Sequence, residues 1–243
     1  MNELERYLFD LQGFLVVENA LTASEIAALN ELLDQQIAKV DEPGKPCFRF
    51  DSLLSWGSPF RLLIDNPRIT PYLVDLLGSR FRLDHDYVHI IRQGNGPIGS
   101  SLHGGATPFD PCQYYIYKNG QMYNGLTAVA YNLTDVNHNE GGFGCIPGSH
   151  KSNLPLPNEW RDLEKPLACV QAIAGKVGTA IIFTEALTHG TLPWTGQHER
   201  RTLFYKYSPH PSAWARYYYN LDDYPDLTEA QRQILKTPGV YPR

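Results

Sequence analysis

The sequence predicts a mainly β domain with flanking α-helices, closed as a double-sheet barrel. Short runs rich in β-branched and aromatic residues recur from Phe81 onward, each bounded by Gly/Pro turns. Helix-period segments precede them, the order expected when helices pack outside a barrel. The chain has 243 residues, 42% apolar and 12% aromatic, enough for one sizeable core. Residues 1–243 are therefore read as one domain, with its body at about 7–210.

The first predicted helix begins at Thr22, which can cap, with Glu25 at the reciprocal capping-box position. Ile26, Leu29, Leu33 and Ile37 then mark one face at helical spacing. A second helix is expected over about 69–77, stopped by Gly78. Strands are read at 83–91, 126–133, 143–146, 168–173, 179–183 and 202–207. Residues 94–124 are long and rich in Gly, Pro and Tyr, and they read as a functional loop. The tail, 208–243, carries Trp214, Tyr217, Tyr218 and Tyr219 and is expected to form a flap or a contact with a second copy.

Net charge is −5 and Lys and Arg are scattered, so no footprint for nucleic acid or a membrane surface is visible. No run approaches the roughly 18 apolar residues of a membrane span. The acidic start, residues 1–6, lacks the apolar stretch of a signal peptide. Cys47, Cys112, Cys145 and Cys169 form no C-x-x-C pair, which favours reduced thiols and a cytoplasmic location. A small-molecule partner is the expectation left standing.

The chemistry concentrates in residues 183–201. An apolar β-type run delivers His189 at its far end, and after a Gly/Pro/Trp turn a second strand carries Arg200, eleven positions on. A further histidine, His103, stands in Leu102-His103-Gly104-Gly105. Two neutral imidazoles from distant strands can hold divalent iron, and an arginine fork can grip a carboxylate. Those are the needs of an oxygenase that uses iron and a keto acid. Spacing alone gives no weight to two histidines 86 residues apart.

Weight comes from a resemblance. Residues 9–22, residues 133–151 with their Pro147-Gly148-Ser149-His150 block, and residues 174–207 resemble the phytanoyl-CoA dioxygenase family of iron(II)/2-oxoglutarate oxygenases. The resemblance spans roughly 7–210 and narrows the fold to a double-stranded β-helix, the cupin-like jelly roll. It implies Fe(II), 2-oxoglutarate and O2 as cofactors, with His103 and His189 as metal ligands. It implies Arg200 and Thr191 on the 2-oxoglutarate carboxylate, with Arg201 on the opposite strand face. His150 is read as tying down its turn rather than as a ligand. His89 stands without motif support as a residue that could line the barrel.

One departure stands out. The family's His-x-Asp motif reads His103-Gly104-Gly105 here, so the usual carboxylate is missing. Glu185, four residues before His189, is the first choice for a functional acid, as ligand or as anchor to a histidine. Asp110 is a second candidate. If no acid fills the place, chloride can, and the chain is then a halogenase like related enzymes with Gly or Ala there. A third reading is a non-catalytic binding barrel that has lost iron. The leading reading is oxidation of a C–H bond in a small metabolite or natural product, since no basic cluster awaits CoA phosphates. Tyr114, Tyr115, Tyr117 and Tyr123 are offered as substrate-stacking groups, with ordinary loop packing the equal alternative. The Gly104-Gly105 pair can equally serve loop geometry.

Overall fold

Frequent Gly and Pro cut this chain into short strands, and alternation along each strand makes one segment serve two cores. The computed structural model describes residues 1–40, 45–93 and 99–240. Among the described residues run strands β1 (Phe14–Val17), β2 (Cys47–Asp51), β3 (Phe81–Ile91), β4 (Tyr115–Lys118), β5 (Gln121–Asn124), β6 (Thr127–Asn132), β7 (Gly142–Cys145), β8 (Gln171–Ala172), β9 (Ala180–Thr184), β10 (His189–Leu192) and β11 (Arg200–Pro209). The α-helices are α1 (Glu3–Gln12), α2 (Ala23–Val40), α3 (Ser58–Arg61), α4 (Thr70–Leu77) and α5 (Glu229–Ile234). Six strands form one antiparallel sheet in the order β1-β9-β6-β11-β3-β2. A second sheet, β10-β7-β8, faces it, and β4-β5 is a separate hairpin. This is a jelly roll with helices on one side.

The larger sheet is buried on both faces. On β11, Leu203, Tyr205 and Tyr207 point outward and join Leu29, Leu33 and Leu73 of the helices in one core. Phe204 points the other way, to Phe143, Ile181 and Phe183 inside the barrel. Each such fully buried side chain contributes about 1.5–3 kcal/mol. The same alternation sends Arg200, Thr202 and Lys206 inward with Phe204. β11 pairs on both edges, with β3 and β6, so this inward row is held in register from two sides.

Several elements differ from the sequence reading. A helix, α1, precedes the one expected first. Asn2 and Glu5 form its capping box and Gly13 closes it in the left-handed region. Phe9 and Asp10 are thus helical, and the strand within residues 9–22 is β1. The expected helix at Thr22 is α2, where Thr22 and Glu25 do exchange hydrogen bonds. β2 was not anticipated. Residues 115–124 of the expected loop are the β4-β5 hairpin, and residues 94–98 of that loop lie outside the described residues. The strand expected over 168–173 shrinks to β8.

His189 does not close the strand that leads to it. Residues 185–188 carry the chain across to the second sheet, where His189 opens β10. The tail folds back onto its own chain rather than forming a flap. Trp214 and Ala215 donate backbone N–H bonds to Asp84 of β3, Tyr219 donates its hydroxyl to Asp86, and Tyr224, Leu227 and Leu235 enter the core. Residues 241–243 lie outside the described residues. Among the described residues no helix is long and apolar enough to cross a membrane.

Candidate active site

His103 and His189 meet across the mouth of the barrel. Their backbones exchange two hydrogen bonds, each 2.9 Å, as an isolated antiparallel bridge. Their ring centroids stand 4.2 Å apart. Nδ1 of His103 lies 3.0 Å from the Ser101 carbonyl, and Nδ1 of His189 lies 2.7 Å from the Leu187 carbonyl. A carbonyl only accepts, so each Nδ1 carries a proton, the tautomer that in a neutral imidazole leaves Nε2 as the lone-pair atom. Carbonyl-anchored imidazoles of this kind are pre-set as metal ligands. His189 is buried, and burial followed by the neighbouring His103 lowers its pKa to about 3, so it is neutral at physiological pH. His103 is exposed at the rim.

Glu185 lies beneath this pair, 4% exposed. Its Oε1 accepts from Nζ of Lys206 at 2.5 Å, and its Oε2 stands 3.8 Å from Nε2 of His189. Burial alone would raise its pKa. The Lys206 ammonium, then His189, outweigh burial and hold the carboxyl at about 2. Lys206 is held protonated by the same pair, its pKa raised against the pull of burial. Oε2 and Nε2 are both acceptors facing one another in a dry setting, an arrangement that a cation between them would satisfy. Among the described residues no three His, Cys, Asp or Glu side chains are already gathered as a metal cluster.

A cavity of about 250 Å³ opens from the histidines into the barrel, lined by Tyr87, His89, Phe143, Phe183, Thr191, Arg200, Phe204 and Lys206 among others. Arg200 is 1% exposed, and its Nε and Nη1 have no hydrogen-bond partner among the described residues. Burial lowers its pKa to about 10, so the guanidinium stays charged. A buried charge without a partner is costly, and a planar carboxylate is its natural complement. Thr191 lines the same cavity from β10. Arg201 points to the other face and pairs with Glu199 at 2.9 Å and Asp34 at 2.8 Å. Arg49 is paired with Asp51 and Lys206 with Glu185, so the unbalanced positive charge of the cavity sits on Arg200, suited to a carboxylate.

The structure does not bring every expected residue here. Asp110 turns away and accepts from the backbone N–H groups of Cys112 and Gln113. Tyr114, Tyr117 and Tyr123 line a different cavity, of about 610 Å³, between α1, α4 and the hairpin. Tyr115 bonds to Asp10 and packs edge-on against His150. Those tyrosines belong to packing around the N-terminal helix. Nε2 of His150 lies 3.1 Å from the Asp10 carbonyl, which ties its turn to α1. Gly105 has φ +110°, and a Cβ there would lie 3.2 Å from Oγ1 of Thr188.

Lys206 and Tyr87 were not singled out by sequence. The available signal was parity: Lys206 is six residues past Arg200 on one strand, and Tyr87 two before His89 on another. His89 is buried with both ring nitrogens unpartnered among the described residues, and burial, then Arg200, lowers its pKa to about 3.

The sequence profile described as Phytanoyl-CoA dioxygenase (PhyH) matches residues 93–202. No curated protein sequence matches the chain. Among solved structures, HygX from Streptomyces hygroscopicus with nickel and 2-oxoglutarate bound superposes with a TM-score of 0.79 at 22% identity, covering 88% of this chain and 89% of that one. The alpha-ketoglutarate-dependent epimerase SnoN from nogalamycin biosynthesis gives 0.62 at 18% identity, covering 86% of this chain and 84% of that one. The carbocyclase SnoK from the same biosynthesis gives 0.64 at 15%, covering 87% and 85%. Residues 93–202 thus resemble the phytanoyl-CoA dioxygenase family, and the chain shares the jelly roll of those structures.

Proposed function

We propose that this chain is an iron(II)/2-oxoglutarate-dependent oxygenase that oxidises a C–H bond of a small, polar metabolite or natural product. One observation carries the reading. Two imidazoles anchored through Nδ1 share a cavity with a buried guanidinium whose Nε and Nη1 have no partner among the described residues. His103 and His189 would hold the iron. Arg200, with the Thr191 hydroxyl beside it, would take the distal carboxylate of 2-oxoglutarate. Iron and the keto acid, when bound, supply the activation of dioxygen.

The chain's own residues do the rest. Phe143, Phe183 and Phe204 wall the cavity and keep water from it. The carbonyls of Ser101 and Leu187 fix both ring tautomers. Glu185 stands in for the missing acid of the metal motif: its free Oε2 faces the metal side of His189, and Lys206 sets its orientation. Natural-product substrates are in keeping with a HygX structure that holds hygromycin B and with SnoN and SnoK from nogalamycin biosynthesis.

Gly105 favours a second reading. It offers no side chain to the metal, and if Lys206 keeps Glu185 from binding, a chloride could take that place and be transferred instead. The test is turnover with Fe(II), 2-oxoglutarate and O2 over a panel of polar natural products, with and without chloride. The oxygenase reading expects succinate formation stimulated by a substrate and an oxygenated product regardless of chloride. A chlorinated product would establish the halogenase, and absence of succinate throughout would defeat both.

A further inference from the structure

The inner wall of the candidate cavity holds more unsatisfied polar groups than Arg200 alone. His89 of β3 is 6% exposed and lines the same cavity. Neither of its ring nitrogens has a hydrogen-bond partner among the described residues. Thr202 of β11 stands directly opposite His89 in the strand pair, is fully buried, and has an Oγ1 that is likewise unpartnered. Arg200 lies two residues from Thr202 on the same inward row. Ten buried side-chain atoms lack a partner among the described residues, and five of them belong to His89, Arg200 and Thr202. Such groups are costly unless something polar completes them, so their gathering at one wall marks a ligand position.

Packing does not account for His89. Its ring sits against Tyr87 and Phe204, with centroids 4.9 and 5.2 Å away. A hydrocarbon ring would fill that slot without burying two nitrogens. Burial, then the charge of Arg200, keeps the imidazole neutral. A neutral imidazole has one N–H donor and one acceptor nitrogen. The Thr202 hydroxyl can meet the acceptor. The charged groups facing His89, which are Arg200, Arg49 and Lys206, only donate. One group that accepts from both the His89 N–H and the Arg200 fork is a carboxylate.

We infer that His89 donates a hydrogen bond to the distal carboxylate of the keto acid and, with Arg200, makes the site select a dicarboxylate. The inference rests on the oxygenase reading above. Thr202 donates to the other ring nitrogen and so fixes which nitrogen of His89 carries the proton. The two carboxylate oxygens have lone pairs enough for the Arg200 fork, the Thr191 hydroxyl and the His89 N–H together. No bond is made or broken at His89; its work is selection. A keto acid ending in a methyl group would leave both His89 and Arg200 unsatisfied. A site built to hydrogen-bond a group rejects the analogue lacking it far more strongly than an apolar pocket does.

The test is calorimetric titration of the whole protein loaded with Zn(II), a metal without redox chemistry. The two ligands are 2-oxoglutarate and 2-oxopentanoate, which has the same chain with a methyl group in place of the distal carboxylate. His89→Phe, checked for folding by circular dichroism, should weaken 2-oxoglutarate by about 10- to 100-fold, the range for a hydrogen bond to a charged group. It should leave 2-oxopentanoate unchanged, and His89→Gln, which keeps a donor, should recover most of the loss. Nuclear magnetic resonance of the parent supplies a measurement that needs no stable Phe variant. One histidine ring N–H resonance, absent from His89→Gln, should move downfield with 2-oxoglutarate and stay in place with 2-oxopentanoate. Equal losses for the two ligands in His89→Phe, undiminished 2-oxoglutarate binding there, or a resonance that ignores 2-oxoglutarate overturns the role of His89 and leaves the oxygenase reading standing. A parent that binds no 2-oxoglutarate overturns both.

Discussion

Lys206 reaches from β11 to donate to Oε1 of Glu185 at 2.5 Å, which leaves Oε2 of Glu185 3.8 Å from Nε2 of His189. One carboxylate thus faces a fixed cation on one side and the imidazole nitrogen proposed to hold the metal on the other. Both partners of the pair are buried, so neither charge is relieved by water.

Lys206→Met leaves the Glu185 carboxylate buried without its partner. Breaking one side of a buried pair costs about 3–5 kcal/mol. Urea unfolding of metal-free protein should show a loss of that size. Adding Glu185→Gln should recover most of it, because no uncompensated charge then remains. A single variant as stable as the parent contradicts the pairing.

Arg200→Ala should weaken 2-oxoglutarate binding by about 2–5 kcal/mol, the cost of removing one partner of a desolvated charge pair. Arg201→Ala should change it by less than about 1 kcal/mol, since Arg201 serves partly exposed ion pairs on the other face. Calorimetric titration of both variants checks the pair. Greater sensitivity at Arg201 would reverse the assignment of the two faces.

Much of this arrangement was legible in the sequence. Alternation along one strand separates Arg200 from Arg201, and local capping signals gave α2 and α4. What escaped was non-local. The β4-β5 hairpin turns through Asn119 and Gly120, both at positive φ, inside a stretch whose Gly and Pro content reads as loop. The tyrosines of that stretch were placed near His103 by sequence proximity, but pairing carries them to the far side, against α1. Lys206 reads as an ordinary strand lysine until the fold sets Glu185 opposite it. The tail could not be assigned because its partners, Asp84 and Asp86, lie about 130 residues upstream, a distance no local pattern bridges.

Asp86 gives a pH signature independent of the metal. It is 3% exposed, and burial raises its pKa from 3.8 to about 6 despite hydrogen bonds from Tyr219 and the Leu53 N–H. A raised carboxyl pKa means that the folded state holds the proton more tightly. Its contribution is therefore fully present below about pH 4 and is lost as pH rises to about 6, a swing of about 3 kcal/mol at most. Relative to Asp86→Asn, the parent should lose stability across that window and run parallel above it. Denaturant curves at several pH values check this; a constant difference between the two proteins would contradict it.

Gly105→Asp should not simply restore the family's carboxylate. The backbone there has φ +110°, where a side chain is strained, and the new Cβ would press on Thr188. A destabilisation of about 1–3 kcal/mol is expected, with no gain in affinity for Fe(II). Tighter metal binding in a variant of undiminished stability would mean that the loop accommodates the acid and that Glu185 is not its replacement.

The central claim is that the two imidazoles and Arg200 together hold iron and 2-oxoglutarate. Anaerobic titration of the protein with Fe(II) and then 2-oxoglutarate, followed by visible absorption, tests it most directly. A weak charge-transfer band should grow with 2-oxoglutarate and saturate, be lost in His189→Ala, and require much more 2-oxoglutarate in Arg200→Ala. A parent protein that develops no band, or a His189→Ala protein that develops the same band, would contradict the account.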